Sequence, residues 1–169
     1  VLAFLNPWDA NLTAAQTADF VVGQPNFSSK RPNDPTGPLT IADGMGTRTG
    51  RNLWTPTSVA VDAIGNLYVV DRDNYRVLKF APVASNYPMA TFVFGQPTWD
   101  FTAGPTHNPL ANYGTIVPDF SAYAPAAIPN NNNLFVPLDL AISPSGALYI
   151  ADSFSNRVLV YSNAPDWGR

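Results

Sequence analysis

The sequence predicts an all-β repeat protein made of four-stranded antiparallel units stacked face to face, and three observations lead there. The composition opposes helices: all twelve acidic residues are Asp, Lys occurs twice, and 17 Pro and 11 Gly punctuate the 169-residue chain. Internal repetition comes second, because the same apolar landmarks return in the same order twice or three times. The third is two-sidedness: Leu67-Tyr68-Val69-Val70 and Thr91-Phe92-Val93-Phe94 are apolar on both alternating faces. Strands of that kind are buried between two layers rather than on one.

The repeat is read from four landmarks. Val-Leu begins an apolar run at positions 1, 77 and 158, so the period is 76 and then 81 residues. FVVGQP at 20 returns as FVFGQP at 92, and NLWTP at 52 returns as NLFVP at 133. The longest echo pairs NLYVVDRDNYRVLKF at 66 with ALYIADSFSNRVLVY at 147, each preceded by a short apolar stretch that turns at Gly65 or Gly146.

In chain order, two strands are expected near 1–4 and 19–23, four at 58–62, 67–71, 76–81 and 91–95, and three more towards the end. Gly65-Asn66, Asp73-Asn74 and Asn86-Tyr87-Pro88 supply turns between the middle four, which makes a meander the simplest connection. One partial β-propeller then fills the chain: the end of a blade at 1–25, a complete blade at 53–97 and the start of another at 134–169. The tracts 26–52 and 98–133, rich in Pro, Gly, Asn and Thr, are long loops inserted at one fixed point of the unit.

The segment PTSVAVDAIGNLYVVDRDNYRVLKF at 56–80 resembles an NHL repeat, and 137–161 is similar, with Ser143, Ala147 and Ser155 standing where Asp62, Asn66 and Asn74 stand. The resemblance implies a propeller of NHL type, commonly six-bladed, of which this chain holds about two to two and a half blades. Related folds include calcium-dependent lactonases and zinc-dependent lyases. Propellers need typically four to eight blades, and an uncovered face forgoes roughly 1.5 to 3 kcal/mol for each large apolar side chain. Further blades or a protein partner are therefore expected to close the open faces, in a larger complex, a homo-oligomer or a longer repeat protein of which this is a fragment.

The repeated Asp71, Asn74 and Arg76, with Asp152 and Arg157, present an acid and a base on either side of a turn. A carboxylate there can accept turn N–H groups and an Arg five residues on can reach back to it or to turn carbonyls, so repetition points to a structural turn. No catalytic residue is assigned. With one His, no Cys and no Glu, the chain lacks the parts of a triad or a zinc site. Asp71-Arg72-Asp73-Asn74 gathers oxygens, but its Arg residues oppose calcium, and the Glu ligand of the similar lactonases is missing. No metal and no cofactor is expected.

Recognition is expected in the unlike loops, where Phe27, Trp99, Phe101, Tyr113, Phe120 and Tyr123 stand among small polar residues as a candidate interaction surface. Trp54 and its counterpart Phe135 are expected to pack in the core or between blades. The Asn-Phe-Ser at 26 and Asn-Leu-Thr at 11 match a glycan-acceptor pattern that arises by chance in such a chain. A net charge of −3 and the absence of any basic run exclude nucleic acid, and no apolar stretch is long enough to span a bilayer. The expected function is a non-catalytic protein-interaction or scaffolding module, outside the cytoplasm. The alternatives are part of a lactonase- or lyase-like propeller enzyme, or a carbohydrate-binding module using loop aromatics.

Overall fold

A computed structural model describes residues 1–4, 16–33, 48–96, 131 and 133–162. Among these, three antiparallel sheets follow one another along the chain, with no α-helix. The first sheet pairs β1 (Leu2–Ala3) with β2 (Phe20–Val21). The middle sheet runs in chain order through β3 (Pro56–Val61), β4 (Leu67–Asp71), β5 (Arg76–Phe80) and β6 (Phe92–Phe94). The third sheet repeats its first three strands as β7 (Pro137–Ile142), β8 (Leu148–Asp152) and β9 (Arg157–Tyr161). The chain is a partial β-propeller whose middle sheet is a complete blade.

The two blade copies share register as well as order. Pro56 pairs with Asp71 and Pro137 with Asp152, each followed by a one-residue shift in the ladder. Between the second and third strands of each copy, a 3-10 turn ends on a residue in the left-handed region, Tyr75 at φ 57° and Asn156 at φ 52°. The turns separate strands whose last and first residues, Asp71 and Arg76 or Asp152 and Arg157, face each other across the ladder.

Alternation along the middle strands sorts its side chains between two cores. Tyr68, Val70, Val77 and Phe94 pack on the third sheet through Leu134, Leu140, Leu148 and Ile150. Leu67, Val69, Leu78 and Phe80 pack towards the first sheet with Val22, Leu53 and Ala90. Both faces of the central strands β4 and β5 are thus covered, which is why they carry no polar alternation. Phe94 ties the layers together, its ring 5.1 Å from that of Tyr161 in an edge-to-face contact.

Polar side chains join the innermost strands. Thr57 Oγ1 donates to the Leu138 carbonyl at 2.8 Å, and Ser58 Oγ donates to Asp139 Oδ1 at 2.6 Å. In each pair the two residues occupy the same position of successive repeats, 81 residues apart.

Candidate functional site

Among the described residues, charged groups converge most deeply below the surface at the end of the middle blade, around Asp71. Asp71, Asn74 and Arg76 are fully buried, and Asn33 and Asn52 nearly so. Arg76 Nε donates to Asp71 Oδ2 at 2.7 Å, and the Asn74 amide donates to the same oxygen at 2.8 Å. The other oxygen, Oδ1, accepts the Trp54 backbone N–H at 2.6 Å. Burial pushes the Asp71 carboxyl above the ordinary carboxylate range, while the Arg76 charge, the Trp54 N–H and the Asn74 amide pull it back.

The Asp71 side chain does not cap a backbone N–H of the 3-10 turn that follows it; from that turn it takes the side-chain amide of Asn74. Arg76 Nη2 donates to the Thr49 and Asn52 carbonyls, both at 2.9 Å. The pair thus joins the hairpin to the segment that enters the blade at 49–54. The physical reason is that this segment carries backbone groups into a buried place, where a carbonyl or N–H must find a partner.

Two asparagines, one of them outside the repeat pattern, complete the network. Asn33, from the long loop before the blade, exchanges two amide hydrogen bonds with Asn74, at 3.0 and 2.7 Å. Asn52 donates to the Asn33 carbonyl at 3.1 Å and accepts the Thr49 N–H at 2.9 Å. Asn33 stands in a loop with no counterpart of matching spacing, so only its burial reveals it; Asn52 is the leading residue of the NLWTP landmark, which was the available signal.

The third sheet repeats the core of the arrangement with fewer partners. Arg157 Nε lies 2.8 Å from Asp152 Oδ2, Phe135 N–H donates to Asp152 Oδ1 at 2.5 Å, and Arg157 also reaches the Asn133 carbonyl at 2.9 Å. Ser155, at the position of Asn74, leaves its buried hydroxyl without a hydrogen-bond partner. The Arg157 side chain keeps 23% of its surface exposed, against none for Arg76.

Of the candidate recognition residues, Phe27 is on the surface at 53% exposure; Trp99, Phe101, Tyr113, Phe120 and Tyr123 lie outside the described residues, as do Asn11 and His107. Trp54 is half-buried and Phe135 buried. Asn26 accepts the N–H groups of Ser28 and Ser29 at 2.9 Å in a surface turn.

The larger exposed apolar surface is on the sheets. Tyr149, Val158 and Val160 are 40%, 61% and 54% exposed on the outer face of the third sheet, where their counterparts Tyr68, Val77 and Lys79 are buried. At the opposite end, Leu2 and Phe4 are exposed, and so are Val59 and Val61 beside the position that inner strands of a preceding blade would fill. An open cleft of about 450 Å³ lies between the first turns of the two copies, lined by Val61, Asp62, Ile64, Ile142 and Ser143 among others.

Residues 53–80 match the family model of the NHL repeat. The match spans the complete blade's entry segment and first three strands, and so contains Asp71, Asn74 and Arg76. No curated protein matches the chain.

Proposed function

We propose that this chain, which carries an NHL repeat at 53–80, is a non-catalytic propeller segment that serves as a protein-interaction or scaffolding module in a larger repeat protein or assembly. One contrast carries the reading: the charged groups are consumed inside the blade, while the apolar ones are exposed at its ends. Asp71 and Arg76 have no accessible surface and are hydrogen-bonded to backbone groups and to neighbouring side chains. A group that acts on a substrate must touch it, and these do not reach solvent.

Electrostatics support the same reading against a calcium-dependent role. Arg72 and Arg76 flank the Asp71–Asn74 turn, and the Arg48 guanidinium lies close enough to Arg76 that burial first, and the Arg76 charge second, lower its pKa. Three cations around one carboxylate cluster disfavour a divalent ion. An extracytoplasmic location goes with this proposal, supported by the Asn-, Thr- and Pro-rich loops, and subcellular fractionation of the native protein tests it.

Sedimentation of the chain beside a Val158→Asp, Val160→Asp variant tests the function. The unaltered chain should associate, and the variant should sediment as a monomer with its β circular dichroism kept. Turnover of lactone or ester substrates by the unaltered chain would overturn the proposal.

A further inference from the structure

The first Gly-Gln-Pro landmark runs into a surface turn whose residues depart from the repeat. It continues as Asn26-Phe27-Ser28, whereas the second copy continues as Thr98-Trp99-Asp100. The aromatic recurs, while the Asn and the Ser do not. A duty shared by every blade therefore does not account for Asn26 and Ser28. Their spacing is that of an N-glycan acceptor, Asn-x-Ser with no Pro in the middle. The pattern arises easily by chance, so the geometry of the turn decides what it is worth.

Asn26, Phe27 and Ser28 are all exposed. Asn26 builds the turn with one end of its amide: Oδ1 accepts the Ser28 and Ser29 N–H groups, both at 2.9 Å, and the Ser29 hydroxyl at 3.1 Å. The other end, Nδ2, donates to no described residue, and the Ser28 hydroxyl is likewise unengaged among the described residues. The division matters because glycosylation replaces one hydrogen on Nδ2 and leaves Oδ1 an acceptor. All three turn bonds survive a glycan. Asn33 and Asn52 are built the other way, buried and with their Nδ2 groups donating to Asn74 Oδ1 and the Asn33 carbonyl. A sugar on either would break the network.

We propose that Asn26 is an N-glycan acceptor, receiving an oligosaccharide from a lipid-diphosphate donor through a membrane transferase that works outside the cytoplasm. The transfer forms a bond from Nδ2 to C1 of the first sugar and breaks the bond from that C1 to the diphosphate oxygen. The lipid diphosphate leaves with the electron pair, and one Nδ2 proton passes to a base of the transferase. The Ser28 hydroxyl, two residues on, is the second group the transferase recognises. The inference rests on the proposed extracytoplasmic location and adds a modification to it.

Incubation of the folded, unmodified 169-residue chain with a purified oligosaccharyltransferase and its lipid-linked donor tests it. Intact mass should rise by the donor glycan, and enzymatic release in heavy-oxygen water followed by peptide mapping should mark position 26. Asn26→Gln should abolish that mark, Ser28→Ala should lower it about tenfold or more, and Ser28→Thr should keep it. Urea midpoints of the glycosylated and bare chains should coincide, because no hydrogen bond is lost. Absence of transfer, a mark at Asn11 alone, full transfer to Ser28→Ala, or a glycan that destabilises the chain would overturn the proposal. Transfer to the purified chain does not depend on location. A native protein found in the cytoplasm would overturn the location and with it the modification in the cell, whereas failed transfer would overturn Asn26 alone.

Discussion

Leu134 fills the space in which Gly95 has no side chain: a Cβ built on Gly95 would lie 2.7 Å from both Cδ1 and Cγ of Leu134. The same contact recurs one blade earlier, where a Cβ on Gly23 would lie 2.5 Å from Leu53 Cδ1. The last strand of one blade is thereby pressed onto the entry segment of the next, and both glycines also hold φ near 90°. Gly95→Ala should cost about 2 to 4 kcal/mol, from the left-handed backbone and from overpacking together. Gly146→Ala, with nothing within 4 Å but a similar φ, should cost only the backbone part, about 1 to 2 kcal/mol. Urea denaturation of the two variants separates these contributions, and equal costs would count against the interblade contact.

The buried pair predicts asymmetry between blades. Arg76→Met strands the Asp71 carboxylate in a fully covered site and should destabilise by about 3 to 5 kcal/mol. Arg157→Met removes a partner that is still 23% exposed, so water can take over part of its role and the loss should be smaller, about 1 to 3 kcal/mol. Replacing both members, Asp71→Leu with Arg76→Met, should recover much of the single-variant loss, because no charge then remains unpaired. Chemical denaturation of the single and double variants measures the coupling; fully additive losses would contradict the network.

The pH dependence follows from Asp62 and Tyr68. Burial alone would raise the Asp62 carboxyl, but donors from Asn66, Ile64 and Tyr68 together hold it below the ordinary carboxylate value. Its contribution is therefore complete above the unfolded pKa, near 3.9, and is lost as pH falls through the lower folded value. Tyr68 is pushed up to about 12, first by burial and then by the Asp62 charge. A raised phenol stabilises the fold below pH 10 and loses that contribution as pH rises towards 12. Asp62→Ser, which installs the residue found at 143, should flatten the acid limb of stability and lower the Tyr68 midpoint. Denaturation at pH 7 and pH 3, with absorbance titration of tyrosinate, checks both; an unchanged acid limb would remove Asp62 from the account.

Much of the blade was legible in the sequence because its signals are local and repeated. The strands over 67–71 and 76–80 follow from apolar runs between turn residues, and the stacking follows from their lack of polar alternation. The Gly-Gln-Pro tract was readable as a recurring landmark, yet its partner Leu134 was not, since the contact spans 39 positions and leaves no pattern. The same holds for Asn33 and Asn74, which meet from 41 residues apart. Asp71 and Arg76 stand at a local spacing that the sequence displays, while the other groups the pair serves, Thr49, Asn52 and Trp54, arrive from the preceding connection and leave no such signal.

The position of Ser155 offers a test of the network by addition instead of removal. In the middle blade Asn74 gives a hydrogen bond to Asp71 Oδ2 at 2.8 Å, whereas Ser155 makes none to Asp152 and keeps its buried hydroxyl unpartnered. Both residues sit at the end of equivalent 3-10 turns, so an amide at 155 has the same path to the carboxylate. Ser155→Asn should stabilise the chain by about 0.5 to 1.5 kcal/mol, the net worth of one hydrogen bond to a buried group together with relief of an unsatisfied one. In an Asp152→Ala background the gain should vanish, because the acceptor is gone. Melting curves of the four variants in this cycle give the answer, and a gain that survives without Asp152 would show that the turn residue acts on something other than the carboxylate.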